Sequence, residues 1–237
     1  MKIALLGYGK MGKIIEKLAL EKGHSVVFKS TSESSEGNFR DAEVAIDFSS
    51  PDAAVSNISK ALEAGIPIIS GTTGWLENYD EMVNLCENRN GSFIYASNFS
   101  VGVNLFFSIN EYAAKLMAPW KEYDVSVEEI HHLEKKDAPS GTAITIAEGI
   151  LKHSEKNNWK LNSSSENSLN ITAKREKDVK GTHTVLYDSP IDTISFKHEA
   201  HNREGFAKGA ILAAEWLKDK KGVFTMKDVL APEGEWN

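Results

Sequence analysis

The fold is decided by residues 2–12, Lys-Ile-Ala-Leu-Leu-Gly-Tyr-Gly-Lys-Met-Gly. An apolar run typical of a buried strand leads into three glycines with the spacing G-x-G-x-x-G, and a predicted helix follows at once. Glycines at this spacing allow a tight turn, a close approach of the backbone to a pyrophosphate, and packing of the helix on the strand. The start of the helix then offers free N–H groups to the phosphates. This context favours dinucleotide binding over a plain tight turn, with the contacts Gly7, Gly9, Lys10, Met11 and Gly12.

Short apolar runs and longer mixed segments alternate along the chain as far as about Ser97. The runs are rich in Ile, Val or Phe and are bounded by Gly, Pro or polar residues, as buried parallel strands are. They are residues 3–6, 25–28, 44–48, 66–69 and 93–96. The segments between them, 11–21, 52–64 and 77–88, predict helices. The alternation predicts an α/β fold, a Rossmann-type doubly wound parallel sheet with right-handed crossovers.

The alternation of short apolar runs and longer mixed segments ends after Phe99. Helices are predicted at 104–117, 141–153 and 203–218, and strands at 123–131, 169–173, 182–187 and 191–198. The polar stretch 155–170 lacks periodicity and predicts a loop or an edge. We therefore predict a dinucleotide-binding domain of residues 1–102 and 204–237. Residues 103–203 are expected to form a second, α+β domain for substrate binding and oligomerisation.

Composition excludes several classes of protein. The 237 residues carry a net charge of -7, which argues against a nucleic-acid or anionic-membrane binder, because such proteins normally present a basic surface. The single cysteine, Cys86, excludes an intrachain disulfide framework. No apolar stretch approaches the length of a membrane span, and the N-terminus does not have the pattern of a secretory signal. A cytoplasmic protein is expected.

The choice of nicotinamide cofactor depends on the end of the second predicted strand. A site specific for NAD normally has an acidic residue there, which binds the ribose diol. This chain instead has Lys29, followed by Ser30. A lysine at this position favours NADPH over NADH, since it can contact the 2′-phosphate. The alternative is that Lys29 is a solvated charge at the end of a strand.

Residues 128–143 form the segment richest in chemical groups, Glu-Glu-Ile-His-His-Leu-Glu-Lys-Lys-Asp-Ala-Pro-Ser-Gly-Thr-Ala. Ser140, Gly141 and Thr142 at the start of a predicted helix make a second cradle for an anion, through backbone N–H groups and hydroxyls. Lys135 can hold a carboxylate or donate a proton, and a histidine can titrate near neutral pH. The alternative is a solvated charged loop that caps a helix. Several basic residues fall beside the motif in this segment or in strand and loop segments that are expected to converge on it: Lys135, Lys136, Lys174, Arg175, Lys177, Lys180 and Arg203.

Histidines also raise the possibility of a metal site, because zinc favours imidazole ligands. The candidates are His131, His132, His183, His198 and His201. None lies in an H-E-x-x-H arrangement. We therefore expect no catalytic metal.

Five motifs together resemble the 4-hydroxy-tetrahydrodipicolinate reductase family in sequence and in order. They are the glycine loop, Asp47-Phe-Ser49, Gly71-Thr-Thr-Gly74, Ala96-Ser-Asn-Phe-Ser-Val-Gly-Val-Asn104 and Glu129-Ile-His-His-x-x-Lys135-x-Asp-Ala-Pro-Ser-Gly-Thr142. The resemblance covers nearly the whole chain. It implies an NAD(P)H-dependent oxidoreductase of the diaminopimelate route to lysine, acting as a homotetramer on a small cyclic imine with two carboxylates.

The resemblance also implies roles for single residues. His131 matches the catalytic histidine, Lys135 the proton-donating lysine and His132 a substrate contact, while Gly141 and Thr142 bind a substrate carboxylate. The residues matching the cofactor-lining segments are Phe48, Ser49, Gly71, Thr72, Thr73, Ala96, Ser97, Asn98 and Phe99. The chain departs from many relatives at Glu134, where they have a third histidine, and near Lys29, where they have an acidic residue.

Two other functions compete with this one. A semialdehyde dehydrogenase of similar architecture needs a cysteine nucleophile, and Cys86 lies in a polar helical stretch. A non-enzymatic nucleotide sensor keeps the glycine loop but does not need the set formed by His131, Lys135 and Thr142. The division of the proton-donor role between His131 and Lys135 stays open at this stage.

Overall fold

The computed structural model describes residues 1–163, 165 and 167–231. The chain divides into two compact units. The first unit contains Met1–Val101 and the C-terminal residues from Arg203 onward, and the second contains Gly102–Asn202. Across the described residues, no helix has both the length and the apolar character that crossing a membrane requires.

The described residues contain twelve strands. In chain order they are β1 (Lys2–Leu6), β2 (Ser25–Ser30), β3 (Ser35–Gly37), β4 (Val44–Asp47), β5 (Ile68–Ser70), β6 (Ser92–Tyr95), β7 (Asp124–His131), β8 (Asn158–Leu161), β9 (Ser168–Arg175), β10 (Thr182–Asp188), β11 (Thr193–Glu199) and β12 (Gly222–Phe224).

The α-helices of the same residues are seven. They are α1 (Lys10–Glu21), α2 (Pro51–Glu63), α3 (Tyr79–Asn88), α4 (Val101–Met117), α5 (Gly141–Leu151), α6 (Glu204–Leu217) and α7 (Met226–Leu230).

The first unit is built on a seven-stranded sheet in the order β12-β6-β5-β4-β1-β2-β3. All neighbouring pairs are parallel except β2 with β3. The chain winds outward from β1 in both directions, so the strand order reverses between β1 and β4. Helices α1 and α6 contribute to an apolar cluster around Ile3 and Leu5, and α2 and α3 contribute to a second one around Ala4 and Leu6. Since alternate residues of β1 belong to different clusters, the two clusters lie on opposite faces of the sheet. The predicted fold class, a Rossmann-type doubly wound sheet with an α+β second domain, is confirmed.

The second unit has a five-stranded mixed sheet in the order β11-β10-β7-β9-β8. Helices α4 and α5 pack on it around a core that includes Val127, Ile146 and Ile171. The alternation of β7 buries Val125, Val127, Glu129 and His131 on one face. Glu129 and His131 therefore lie at the C-terminal end of the buried row of side chains that begins with Val125 and Val127.

The structure agrees with the sequence at one sheet edge and adds three short elements. The stretch 155–170 is predicted to be a loop or an edge, and it contains β8, the edge strand of the second sheet, and the first residues of β9. The short elements β3, β12 and α7 were not predicted, since three to five residues give no measurable periodicity. Both short strands pair at the ends of the first sheet, so their conformation depends on neighbours that are distant in sequence.

Gly7 and Gly9 differ in their tolerance of a side chain, which gives a test of the fold. Gly7 has φ +95°, and a Cβ there would lie 2.1 Å from the carbonyl oxygen of Phe48, whereas a Cβ on Gly9 would meet nothing within 4 Å. We expect Gly7→Ala to lower the free energy of unfolding by about 2 kcal/mol or more, because backbone strain and a backbone clash add together. Gly9→Ala should cost less than about 1 kcal/mol. Denaturant unfolding of the two variants would contradict this account if their losses were equal.

Candidate active site

Four predicted cofactor segments lie at one edge of the first sheet. Residues 7–12 follow β1, residues 48–49 follow β4, residues 71–73 follow β5 and residues 96–99 follow β6. These strands are parallel, so their carboxyl ends meet at the same edge. The reversal of strand order between β1 and β4 makes this edge the usual crevice for a nucleotide in such sheets.

The glycine loop leaves the start of α1 open. Gly7 N and Tyr8 N donate to the carbonyl oxygen of Ser30, at 3.1 and 2.8 Å, which fixes the turn against β2. Gly12 lies so close to the turn that a Cβ there would be 2.4 Å from the Gly7 carbonyl oxygen. Gly9 is the N-cap of α1, no side chain caps the helix, and its first turn contains no acidic residue. The first N–H groups of α1 therefore have no side-chain cap, and together with the positive end of the helix dipole they suit a phosphate.

A buried carboxylate, Asp47, connects two of the cofactor segments. Its Oδ1 accepts hydrogen bonds from Ser49 Oγ at 2.6 Å and Asn57 Nδ2 at 2.9 Å. Its Oδ2 accepts from Ser70 Oγ at 2.8 Å and Thr72 Oγ1 at 2.7 Å. Thr72 Oγ1 in turn accepts from Ser49 N at 2.8 Å. The loops after β4 and β5 are thus held to one another by a single side chain.

Aromatic packing shapes the same edge. The ring centroids of Phe48 and Phe99 lie 5.9 Å apart. A Cβ on Gly71 would be 2.4 Å from the Phe48 ring, so the glycine makes room for it. Phe99 and Asn98 are buried, whereas Thr73 is exposed. That these residues, with Ala96 and Ser97, contact the cofactor stays a prediction.

Lys29 is engaged with two acidic side chains. Its Nζ donates to Glu16 Oε1 at 3.2 Å, lies 3.9 Å from Glu36 Oε2, and is 4.8 Å from the centroid of the Tyr8 ring. Tyr8 Oη also donates to Glu16. The hydrogen bond with Glu16 raises the pKa of Lys29 above its ordinary value. Lys29 therefore lies beside the glycine loop. Its ammonium group is paired with Glu16 and Glu36 and is not an isolated solvated charge.

The second unit holds a compact buried cluster around Glu129. His131 Nδ1 lies 3.2 Å from Glu129 Oε2, and His183 Nε2 lies 3.9 Å from the same oxygen. Ser140 N donates to both carboxylate oxygens, at 3.1 and 3.2 Å, and Ser140 Oγ lies 3.3 Å from His183 Nε2. Ser140 is also the N-cap of α5, since its Oγ accepts from Ala143 N. The predicted catalytic histidine and the predicted anion cradle therefore meet on one carboxylate.

Arg175 joins this cluster to the segment that carries Lys135. Its Nη2 donates to Glu129 Oε1 at 3.2 Å and to the carbonyl oxygen of Asp137 at 2.5 Å. Its Nε donates to the carbonyl oxygen of Lys135 at 3.3 Å. The Lys135 ammonium, which is partly buried, donates to both carboxylate oxygens of Asp137 at 2.8 Å. Of the basic residues expected to converge on the segment 128–143, Arg175 binds it through the Glu129 carboxylate and two backbone carbonyls, and Lys174 pairs with Glu128 at 2.6 Å.

Burial and hydrogen bonding set the charges of the cluster. Burial alone would raise the pKa of Glu129, but the contacts with His131 and Ser140 outweigh it and lower the pKa to about 2. Burial, followed by the proximity of His131, lowers the pKa of His183 to about 3. Near neutral pH the cluster therefore holds an ionised Glu129 and a neutral His183.

Glu129, His131 and His183 also offer three ligand atoms within 4.8 Å of one another. The carboxylate is already occupied, because Ser140 N donates to both of its oxygens and the Arg175 guanidinium pairs with Oε1. A guanidinium on the same carboxylate opposes a divalent cation. The arrangement fits proton handling better than metal binding.

Cys86 does not resemble a nucleophile. The thiol is buried in the first unit, and burial raises its pKa. A reactive cysteine needs a lowered pKa and partial exposure. Cys86 therefore does not provide the cysteine nucleophile that a semialdehyde dehydrogenase needs.

The sequence analysis assigns no individual role to Asp47 or Glu129, and it names Arg175 only among the basic residues expected to converge on the segment 128–143. A signal for Glu129 was present, because the period-2 alternation of Val125 and Val127 continues through Glu129 to His131. Asp47 stands in a quoted motif at the end of a predicted strand, but its four donors come from three separate segments, which no local pattern reveals.

Comparisons with known proteins cover nearly the whole chain. Residues 1–99 match the family described as dihydrodipicolinate reductase, N-terminus, and residues 102–230 match dihydrodipicolinate reductase, C-terminus. A 4-hydroxy-tetrahydrodipicolinate reductase of Christiangramia forsetii is 51% identical over 234 residues, which is 98% of each chain. One of Archaeoglobus fulgidus is 35% identical and covers 97% of this chain and 100% of its own.

Solved structures agree in fold. A dipicolinate-bound dihydrodipicolinate reductase from Paenisporosarcina sp. TG-14 superposes with a TM-score of 0.77 at 19% identity, covering 98% of this chain and 99% of its own. An aspartate semialdehyde dehydrogenase II from Vibrio cholerae reaches a TM-score of 0.54 at 14% identity, covering 91% and 97%. At these identities the likeness concerns the fold alone.

The neutral state of His183 predicts how stability depends on pH. As pH falls below 6.5, the ordinary pKa of histidine, His183 takes up a proton in the unfolded chain but stays neutral in the folded one until about pH 3. The free energy of unfolding should therefore fall with pH, by at most about 1.4 kcal/mol per pH unit from this residue. His183→Gln should lose less stability between neutral pH and about pH 5 than the wild type does.

The measurement is denaturant unfolding at both pH values. His153→Gln, a histidine outside the cluster, serves as the matched control and should keep the wild-type slope. Equal slopes for His183→Gln and the wild type would contradict a buried neutral His183.

Proposed function

The chain belongs to the dihydrodipicolinate reductase family, and from this premise we infer that it reduces 4-hydroxy-tetrahydrodipicolinate with NAD(P)H. The reaction consumes one proton and yields tetrahydrodipicolinate, NAD(P)+ and water, in diaminopimelate and lysine biosynthesis. The observation that carries the inference is the 51% identity with a curated 4-hydroxy-tetrahydrodipicolinate reductase over 98% of the chain. The enzyme is an oxidoreductase that uses a nicotinamide cofactor.

We propose that the first unit binds the cofactor at the carboxyl edge of its sheet. A bound nicotinamide cofactor supplies the hydride. The open N-terminus of α1, with Gly7, Gly9 and Gly12, suits the pyrophosphate. The loops that contain Ser49 and Thr72 are held by Asp47 and suit the rest of the cofactor. Rigid loops of this kind favour hydride transfer because they limit the positions that the reacting groups can take.

The second unit has the chemistry to bind a small dicarboxylate. The N-terminus of α5 begins at Ser140, Gly141 and Thr142 and contains no acidic side chain in its first turn. The backbone N–H groups of the first turn and the helix dipole favour a carboxylate. His132, which directly follows β7, is a further proposed contact.

Reduction of the ring also needs a proton, and two groups can supply it. His131 lies at the end of β7 beside Glu129, and the Lys135 ammonium lies nearby in sequence against Asp137. A positioned general acid contributes about 10²-fold or more to the rate. The structural evidence supports both residues as members of one proton-handling segment.

Single substitutions test this segment. His131→Ala and Lys135→Ala should each lower kcat by about 10²-fold or more if the residue is the general acid. The dissociation constant for the cofactor should stay within about twofold of the wild-type value, because these side chains belong to the second unit. The measurement is the loss of NAD(P)H absorbance with the product of the preceding synthase as substrate. A loss below about threefold in both variants would overturn the assignment.

The same assay distinguishes a reductase from the remaining alternative, a non-enzymatic nucleotide sensor. Tight cofactor binding without NAD(P)H oxidation would favour a nucleotide sensor over a reductase. We expect turnover, because the set His131, Lys135 and Thr142 is intact.

We further propose that the enzyme prefers NADPH to NADH, through a contact of Lys29 with the 2′-phosphate. Lys29 lies beside the glycine loop, which supports the contact, but Glu16 and Glu36 share its charge, so the preference should be modest. Lys29→Met should raise the KM for NADPH by about tenfold and leave the KM for NADH within about twofold, since only NADPH loses a charge-assisted contact.

Glu36→Gln gives the complementary test. Removing this exposed carboxylate leaves the Lys29 ammonium paired with Glu16 alone, so the ratio of kcat/KM for NADPH to that for NADH should rise. Equal use of both cofactors by the wild type, or a preference for NADH, would contradict the proposal.

Assembly and location are also proposals. The family resemblance supports a homotetramer built by the second unit, and light scattering of the purified protein tests the mass. A cytoplasmic location is supported by the single free cysteine, which suits a reducing compartment.

A further inference from the structure

Glu129 is a buried side chain of the second unit with partners on several elements, although the proposed reaction assigns it no role. Its carboxylate is fully buried and contacts groups from four elements: His131 on β7, Ser140 at the start of α5, Arg175 on β9 and His183 on β10. A carboxylate removed from water is costly unless its partners satisfy it. An ion pair in such a place contributes little net stability relative to apolar packing, so stability alone does not account for it.

The partners of Glu129 are the groups that the reaction needs in fixed positions. Oε2 lies 3.2 Å from Nδ1 of His131, a contact at ion-pair distance, and Nε2 lies on the other side of the ring. Gly181 leaves room there, because a Cβ at that position would lie 3.2 Å from His131 Nε2. A carboxylate on one ring nitrogen fixes the orientation and the proton position of the other, as in the carboxylate–histidine pairs of many enzymes.

The same carboxylate also anchors the anion cradle. Ser140 N is held by both oxygens, which places the first turn of α5 relative to His131. Through Arg175, Oε1 is joined to the backbone of Lys135 and Asp137. One side chain thus sets the distance between a proton-handling ring, a carboxylate-binding helix end and the lysine segment.

We propose that Glu129 is a positioning residue of the reductase, which acts on the reaction through His131 and on dicarboxylate binding through the start of α5. The proposal rests on the proposed function for its catalytic part. Its binding part concerns the affinity of the second unit for a dicarboxylate and is measured without turnover.

The test compares Glu129→Gln with Glu128→Gln. Glu128 is the neighbouring residue on β7, takes the same substitution, and also forms an ion pair, with Lys174 at 2.6 Å on the more exposed face. Glu129→Gln should lower kcat by about tenfold or more and raise the substrate KM by about fivefold, whereas Glu128→Gln should stay within about twofold of the wild type for both. The dissociation constant for NADPH, measured on both variants, reports whether the first unit is intact.

A double substitution separates positioning from a general loss of structure. If Glu129 acts on the chemical step through His131, the kcat of the variant with both Glu129→Gln and His131→Ala should lie within about threefold of the kcat of His131→Ala alone. The KM effect should persist in the double variant, because it acts through Ser140 and α5. Multiplied losses in kcat would overturn the proposal, as would a Glu129→Gln enzyme with wild-type kcat.

Glu129→Asp and a binding measurement complete the design. Glu129→Asp keeps the charge and should retain more activity than Glu129→Gln, and the reverse order would contradict a role for the charge. Calorimetry with dipicolinate, on protein saturated with cofactor, should show affinity lowered by about fivefold in Glu129→Gln and unchanged in Glu128→Gln. If the wild type binds dipicolinate but turns over no substrate, the reductase proposal and the catalytic part fail, and the binding arm still decides the positioning of α5.

Discussion

A carboxylate buried at the end of a strand has to obtain its hydrogen bonds from the protein itself, and both units are organised around this constraint. In the first unit, Asp47 collects four side-chain donors and thereby holds the loops after β4 and β5. In the second unit, Glu129 contacts Ser140 N at the start of α5, the Arg175 guanidinium and the His131 ring. Each carboxylate lies at or near the end of a strand. Each one holds the segments that donate to it in fixed positions relative to one another.

An acidic chain can bind anionic ligands because the attraction is local. The net charge is -7, yet both proposed anion sites are helix N-termini with no acidic side chain in the first turn. Backbone N–H groups and the helix dipole act over the length of one turn, whereas the distributed charge of the surface is screened by salt. The overall acidity is therefore compatible with the proposed binding of a nucleotide and a small dicarboxylate.

The larger elements and the fold class could be predicted from sequence because their periodicity is local. The glycine loop, the strand that ends at His131 and the helix that starts at Gly141 all follow from neighbouring residues. The partners of Lys29 could not be predicted in this way, because Glu36 reaches it only through the short strand β3. Likewise Arg175 lies 40 residues after Lys135 in the chain and contacts it only because β9 pairs with β7. The residue types of the site can be identified from sequence, but the carboxylates that connect them depend on pairing between distant strands.

The burial of Cys86 has a practical consequence for biophysical work on this enzyme. The thiol is inaccessible in the folded state and its burial raises its pKa, so reagents that modify thiolates have little to react with. Cys86 is also the only cysteine of the sequence. A fluorophore or spin label attached to one newly introduced surface cysteine would therefore report from that position alone, and the native cysteine would not have to be replaced first.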